Sequence, residues 1–283
     1  MKIMPLSEIE YQKKSVHFFL EKFKSNNNTK LYDLINTDRY FYTNSGKEAI
    51  RIIVEYLNLQ KEDEVFITTT TESSYVSTCV SATLFNYSKI SRVLTDKTKV
   101  VYVIHNFSFP HPKLLELRKL CDDKGLILIE DCAFAFDSYI EDIRLGSIGD
   151  FTIYSLPKIF PVSRGGILSF KKDLNFKYFL KNNKFENFIE KWIPKIEDIK
   201  IYRRENYNYL KHNLNQRTIY GEVNNVNPFM YGFYSENYQK IYSNIINGFE
   251  LGLTHVKNEV HIPVNAFICK SEYKKIIERL TFD

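Results

Sequence analysis

Two apolar, β-rich runs, Val100-Val101-Tyr102-Val103-Ile104 and Leu126-Ile127-Leu128-Ile129, flank the helical stretch PKLLELRKLCDDKG, and this unit constrains the fold more than any other feature of the chain. In the helical stretch Pro112 can open the helix, Leu114, Leu117 and Cys121 share one face, and Gly125 can close it. Strand, helix and strand at this spacing make a parallel pair joined by a right-handed crossover. The same alternation runs from Asn44 to Phe170, with further short strands at Phe151-Thr152-Ile153-Tyr154 and Ile167-Leu168-Ser169-Phe170. The expectation is an α/β fold with a mostly parallel central sheet covered by helices on both faces.

Beyond Phe170 the text turns charged, aromatic and helical, then less regular, and ends in a last helical run, KSEYKKIIERL. This places a boundary near Lys172: residues 1–172, with an N-terminal helical segment, form a large domain, and residues 173–283 a smaller C-terminal α+β lobe. The run of asparagines ending at Asn28 reads as a loop. A chain of 283 residues with 44% apolar side chains has ample material for a core. Its formal charge of +5 is spread along the chain, which leaves no nucleic-acid footprint and suits a small anionic substrate. Cys79, Cys121, Cys132 and Cys269 form no CxxC pair, so neither a metal site nor a disulfide framework is expected, and a reducing cytoplasm is the natural location. The opening MKIMPLSEIEYQKK lacks the apolar core of a signal peptide, and no segment reaches the roughly 20 apolar residues of a membrane span.

Four segments can carry chemistry, and each also has an ordinary structural explanation. LILIEDCAFAF ends a buried strand with Glu130 and Asp131, at the strand end that faces a ligand crevice in an open parallel sheet; alone, such an Asp is more often a turn or helix cap. IYSLPKIFPVSRGG holds Ser155, Lys158, Arg164 and a Gly165-Gly166 pair where backbone can approach backbone or ligand closely, although a lone lysine is usually a solvated charge. In TNSGKEAIRIIVEYL the residues Ser45, Gly46 and Lys47 open an amphipathic helix, whose first turn can hold a phosphate or merely be capped by Ser45. LGSIGDFTIYS, with two glycines before a strand, reads as a turn.

Taken in order, SGKEAI, DKTKVVYVIH, LILIEDCAFAF, LGSIGDFTIYS and SLPKIFPVSRGG resemble the DegT/DnrJ/EryC1/StrS family of sugar aminotransferases, most clearly from Tyr42 to Phe170. The resemblance implies an aspartate-aminotransferase-like (type I) fold and a pyridoxal 5'-phosphate cofactor. It makes Lys158 the lysine joined to the cofactor and the acid/base of the reaction, and Asp131 the partner of the ring nitrogen. Ser45, Gly46, Lys47 and Ser155 would receive the phosphate. Tyr75 is the candidate to cover the ring, with core packing as its other role, and Phe134 would lie beside the cofactor. His105 and Arg164 would line the substrate crevice, His105 having a structural role as its alternative. The chain departs from the family at Phe134, usually Gln, at Phe136, usually His, and at Lys47, usually a small hydroxyl residue. The step from Ser155 to Lys158 is two residues shorter than common, and the Gly-Tyr-Asn-Tyr-Arg-like segment that often contacts phosphate across a dimer is missing.

The activity implied is transfer of an amino group, from glutamate, to a nucleotide-linked keto-sugar for a surface glycan or a specialised metabolite, by a homodimer. The alternatives are a non-transaminating sugar-modifying enzyme using the same cofactor, against which Lys158 argues, and a catalytically degenerate binding homologue.

Overall fold

The strand text closes into one seven-stranded sheet in a computed structural model that describes residues 23, 28–35, 37–71, 75–171, 185–241 and 256–280. The N-terminal helical segment expected before residue 23 and the domain boundary at Lys172 lie outside the described residues. In chain order the large sheet and its helices comprise α1 (Leu31–Ile35), β1 (Tyr40–Thr43), α2 (Gly46–Tyr56), β2 (Glu64–Thr69), α3 (Thr78–Phe85), β3 (Lys89–Ser91), β4 (Thr98–Ile104), α4 (Leu114–Lys124) and β5 (Ile127–Asp131). A short hairpin of β6 (Tyr139–Ile140) and β7 (Ile143–Arg144) precedes β8 (Phe151–Ser155) and β9 (Gly166–Phe170).

The strand order is β1-β9-β8-β5-β4-β2-β3. Neighbours from β8 to β3 are parallel, and β9 alone runs against both β8 and β1. The expected β4-α4-β5 crossover is present, with Val100 opposite Ile127 and Ile104 opposite Asp131. Its helix begins at Leu114, two residues after Pro112, and ends at Gly125, whose φ of 64° is the left-handed cap that glycine adopts without strain. β5 runs past the expected Ile129 to Asp131, because Glu130 and Asp131 keep the ladder while fully desolvated.

Two apolar layers sandwich the sheet. Ile50, Ile53 and Leu84 from α2 and α3 meet Val100, Ile129 and Ile153 on one face. On the other, Leu114 and Cys121 of α4 and a C-terminal helical group led by Trp192 meet Val101 and Leu128. Each such side chain taken fully from water contributes about 1.5–3 kcal/mol, so the sheet is held from both sides.

The C-terminal part begins with α5 (Glu186–Trp192) and α6 (Ile196–Leu214). The single helical text of the sequence is broken into two helices at Pro194, which lies in a one-turn 3₁₀ segment between them. The irregular text beyond α6 contains an antiparallel pair, β10 (Met230–Tyr234) with β11 (Glu259–Pro263), before α7 (Lys270–Arg279). These elements build a third core around Tyr207, Tyr231, Val260, Ile262 and Tyr273. Phe107 and Phe109, from the loop after β4, are part of that core, so the sheet's C-terminal edge is tied to the C-terminal lobe. The helix α6 spans both regions, with Ile196 and Ile199 in one core and Leu210 and Leu214 in the other.

Candidate active site

Asp131 is the last residue of β5 and is buried. One carboxylate oxygen accepts the Tyr102 hydroxyl at 2.8 Å and the other the Ala133 backbone N–H at 3.0 Å. Tyr102 and Asp131 meet because Tyr102 precedes Ile104, the register partner of Asp131, by two residues on β4 and so shares its face. Burial holds the Asp131 carboxyl above its usual range, and the two hydrogen bonds only partly offset it. Among the described residues no cation forms an ion pair with it.

Lys158 ends a one-turn 3₁₀ helix, Leu156–Lys158, that leaves β8 and is opened by Pro157. Its ammonium lies over the ring of Phe134 at 5.1 Å and that of Phe229 at 5.7 Å. Burial lowers its pKa, with Cys79 opposing. Asp131 and Lys158 do not form an ion pair with each other, and no other carboxylate pairs with Lys158 among the described residues. The site therefore carries a carboxylate and an amine that are both pushed toward their neutral forms.

The start of α2 adjoins the same region. Ser45 caps the helix by accepting the Glu48 N–H, and the Glu48 carboxylate returns to the Asn44 N–H at 2.6 Å. Ser45 bridges to Gly165, and Gly166 pairs with Ser155 across β9 and β8. A Cβ on Gly166 would stand 2.7 Å from Thr43 Oγ1 and 2.8 Å from the Gly46 nitrogen, so only glycine lets β9 press this closely on the helix start. Thus Ser45 and Gly46 at the start of α2 and Ser155 at the end of β8 come together, around first-turn amides that have no partner within the helix. Lys47 is exposed on the same turn.

Tyr75 stacks on Phe107, with ring centres 5.7 Å apart and planes at 14°, and Phe107 also meets Phe134 at 5.3 Å. Burial raises the Tyr75 phenol, and the Asp131 charge adds to that. Phe107 adopts left-handed backbone, φ 54°, and Ser108 follows at 86°. The Ser108 hydroxyl donates to the Phe134 carbonyl, fixing this turn against the segment after Asp131.

His105 is a correction to the expectation that it lines the crevice. It is wholly buried, its Nδ1 accepts the His111 N–H at 3.1 Å, and its Nε2 meets Glu130 at 3.1 Å, so neither ring nitrogen faces a substrate. Glu130 accepts the Gly146, Ile148 and Gly149 N–H groups as well. Burial alone would raise the Glu130 carboxyl, but His105 and the glycine amides hold it below its ordinary value. His105, Glu130 and Cys132 lie within 4.8 Å of one another, yet both ring nitrogens of His105 and both oxygens of Glu130 are committed to this network. Arg164 is exposed in the loop between Lys158 and β9, and among the described residues it forms no ion pair with a carboxylate.

Sequence reasoning missed Tyr102, Phe107 and Phe229, and did not bring Arg203 to the turn that carries Lys158. A tyrosine in the middle of the apolar run VVYVI was a legible signal, since a buried hydroxyl needs a partner. The positions of Phe229 and Arg203 depend on how the C-terminal lobe returns to the sheet, which no local spacing reveals.

A family model described as the DegT/DnrJ/EryC1/StrS aminotransferase family matches residues 19–180. The chain is 25% identical over 171 residues to GDP-perosamine synthase of Vibrio cholerae, covering 55% of this chain and 45% of that protein. It is 25% identical over 148 residues to dTDP-4-dehydro-2,3,6-trideoxy-D-glucose 4-aminotransferase of Saccharopolyspora spinosa, covering 47% and 38%. These matches thus span less than half the length of either relative. Among solved structures, a DegT DnrJ EryC1 StrS aminotransferase from Brucella abortus superposes with a TM-score of 0.73 at 12% identity, covering 98% of both chains.

Proposed function

The chain belongs to the DegT/DnrJ/EryC1/StrS aminotransferase family, and on that footing we propose that it is a pyridoxal-phosphate-dependent aminotransferase acting on a nucleotide-linked keto-sugar, with glutamate as amino donor. The observation that carries this reading is a pair of groups with no ion pair between them, the buried Asp131 and the partly buried Lys158, at the carboxyl ends of neighbouring strands. Leaving a carboxylate and an amine desolvated without a counter-ion costs stability, which a ligand bearing a protonated ring nitrogen and a reactive carbonyl would offset.

The residues present fit that cofactor. The Asp131 carboxylate, with no protein cation, is suited to hold a protonated ring nitrogen. Ser45, the Gly46 and Lys47 amides and Ser155 are suited to a phosphate at the helix start, where the helix dipole favours an anion. Bound there, pyridoxal phosphate supplies an electron sink for charge left at the substrate carbon. Lys158, whose pKa desolvation lowers, would accept at its Nζ a proton from that carbon and return it across the bridging nitrogen, the 1,3 shift that amino transfer requires. Phe134 and Phe229 exclude water around the amine.

We also read residues 1–172 as the cofactor-binding domain and 173–283 as the lobe that closes the crevice, in a cytoplasmic homodimer making surface glycans or specialised metabolites. No helix among the described residues is long and apolar enough to cross a membrane. A second reading, a binding homologue without turnover, is favoured by Phe134, which puts an aromatic ring under the Lys158 amine where relatives usually offer an amide. Borohydride reduction of protein mixed with pyridoxal phosphate, followed by peptide mapping, tests both readings. A pyridoxyl group on Lys158 is expected, and its appearance elsewhere or nowhere overturns the assignment. Protein that has taken amino groups from glutamate is then offered nucleotide-linked keto-sugars and small keto acids. Recovery of the original absorbance with keto-sugars supports the acceptor class, whereas recovery with keto acids alone replaces it.

A further inference from the structure

Arg203, in the middle of α6, is wholly buried, and among the described residues no carboxylate pairs with it. One guanidinium nitrogen donates to the Lys158 carbonyl at 2.7 Å, another reaches Asn227 Oδ1 at 3.4 Å, and Nε has no partner. Its guanidinium lies over Phe229 at 5.5 Å, the ring that also carries the Lys158 ammonium. Burial of this uncompensated cation pulls its pKa down to about 10. Asn227 is equally buried; its amide nitrogen donates to the Phe136 carbonyl at 3.2 Å, and its backbone N–H to the Ser138 hydroxyl at 2.9 Å.

A buried cation without an acid is costly, so a position that retains one needs a compensating use. Here the guanidinium's planar fork reaches two segments that sequence separates widely. It holds the turn carrying Lys158 and, through Asn227, the segment that follows Asp131. We infer that Arg203 and Asn227 form a buried bracket fixing Lys158 relative to the segment after Asp131, which makes Arg203 a positioning residue. The inference rests on the reading that Lys158 and Asp131 serve one site.

Arg203→Met removes every donor while keeping an apolar stem, and Arg203→Lys keeps the cation with one point of contact. Amide hydrogen exchange on cofactor-free protein should quicken by about tenfold or more across residues 156–160 in the Met variant, with β5 and β8 unchanged. The amides of Ile159 and Phe160, both bonded to the Leu156 carbonyl, report that turn. Spectral titration then compares pyridoxal phosphate, whose capture needs Lys158, with pyridoxamine phosphate, whose binding does not. The Met variant should weaken the first about tenfold and the second less than about threefold, with Lys recovering most of the loss. Wild-type exchange at 156–160, or equal weakening of both forms, overturns the bracket. If the Met variant does not fold, Asn227→Ala serves instead. It should quicken exchange at residues 133–138 alone, and unchanged exchange there overturns the inference. Should the unaltered protein bind neither form, the functional reading fails, while the exchange rates still decide the bracket.

Discussion

Replacing Glu130 by Gln tests the network that holds the turn between β7 and β8 against the sheet. The Glu130 carboxylate is fully buried and accepts hydrogen bonds from the Gly146, Ile148 and Gly149 amides and from His105. Glutamine fills nearly the same volume but can present only one acceptor oxygen. Its NH₂ end therefore faces two donors, and orphaning each costs about 1–3 kcal/mol. Removing the charge from a buried, fully engaged site gives a similar figure, about 3–5 kcal/mol, which is the loss expected here. Urea unfolding at pH 7 followed by far-ultraviolet circular dichroism reads it as a lower midpoint at unchanged slope. The pH dependence has a definite sign. The folded-state Glu130 pKa is depressed, so its contribution is complete above the unfolded value near pH 4 and fades as pH falls through the folded one. The gap between wild type and Glu130→Gln should accordingly narrow below about pH 4. A loss under about 1 kcal/mol at pH 7, or a gap that stays constant into acid, refutes the reasoning.

The other perturbations act on the crevice itself. Asp131→Asn should still take up cofactor but lower the rate of amino transfer by about two orders of magnitude or more, since the amide cannot balance a protonated ring nitrogen; near-normal turnover removes Asp131 from the proposed role. Gly166→Ala should cost about 1–3 kcal/mol by overpacking and weaken phosphate binding, because the added carbon meets the backbone nitrogen of Gly46. An unchanged melting temperature together with unchanged competition by inorganic phosphate would show that the helix start is not held by this contact.

The central sheet was legible because its strands advertise burial: VVYVI and LILI have no polar alternation, so they had to be covered on both faces. Asp131 and Lys158 were singled out by the order of motifs, and Gly125 was found from its position at the end of a helical run. Both a crevice and a structural role stayed open for His105 because ending a strand does not tell which way a ring turns; it turns inward to Glu130. Arg203 is buried against the Lys158 carbonyl, and only the path of α6 between two cores decides that. The pair β10 and β11 escaped notice because their partners are distant in sequence and Gly232 interrupts the run. At Gly232 a Cβ would press on Tyr220 and His261, which makes that glycine a packing requirement that mimics a loop signal.

Burial moves the two ionisable groups of the crevice toward neutrality from opposite sides, Asp131 upward and Lys158 downward. Facing each other they would gain an ion pair, but that pair would keep the amine protonated and unable to accept a proton. The fold prevents it by giving each group other neighbours. Tyr102 and Ala133 occupy the carboxylate, and Phe134 and Phe229 flank the amine. Their separation is set by backbone: Asp131 is paired with Ile153 across β5 and β8, and Lys158 follows five residues after Ile153 through the Pro157 turn. The Arg203 bond to the Lys158 carbonyl then fixes that turn from below without adding an acceptor near the amine. A carboxylate in Arg203's place could bond neither the Lys158 carbonyl nor Asn227 Oδ1, and would offer the amine the counter-ion the site avoids. A buried cation that costs stability is thus the one charged group that can brace this lysine and leave its amine free to change protonation state.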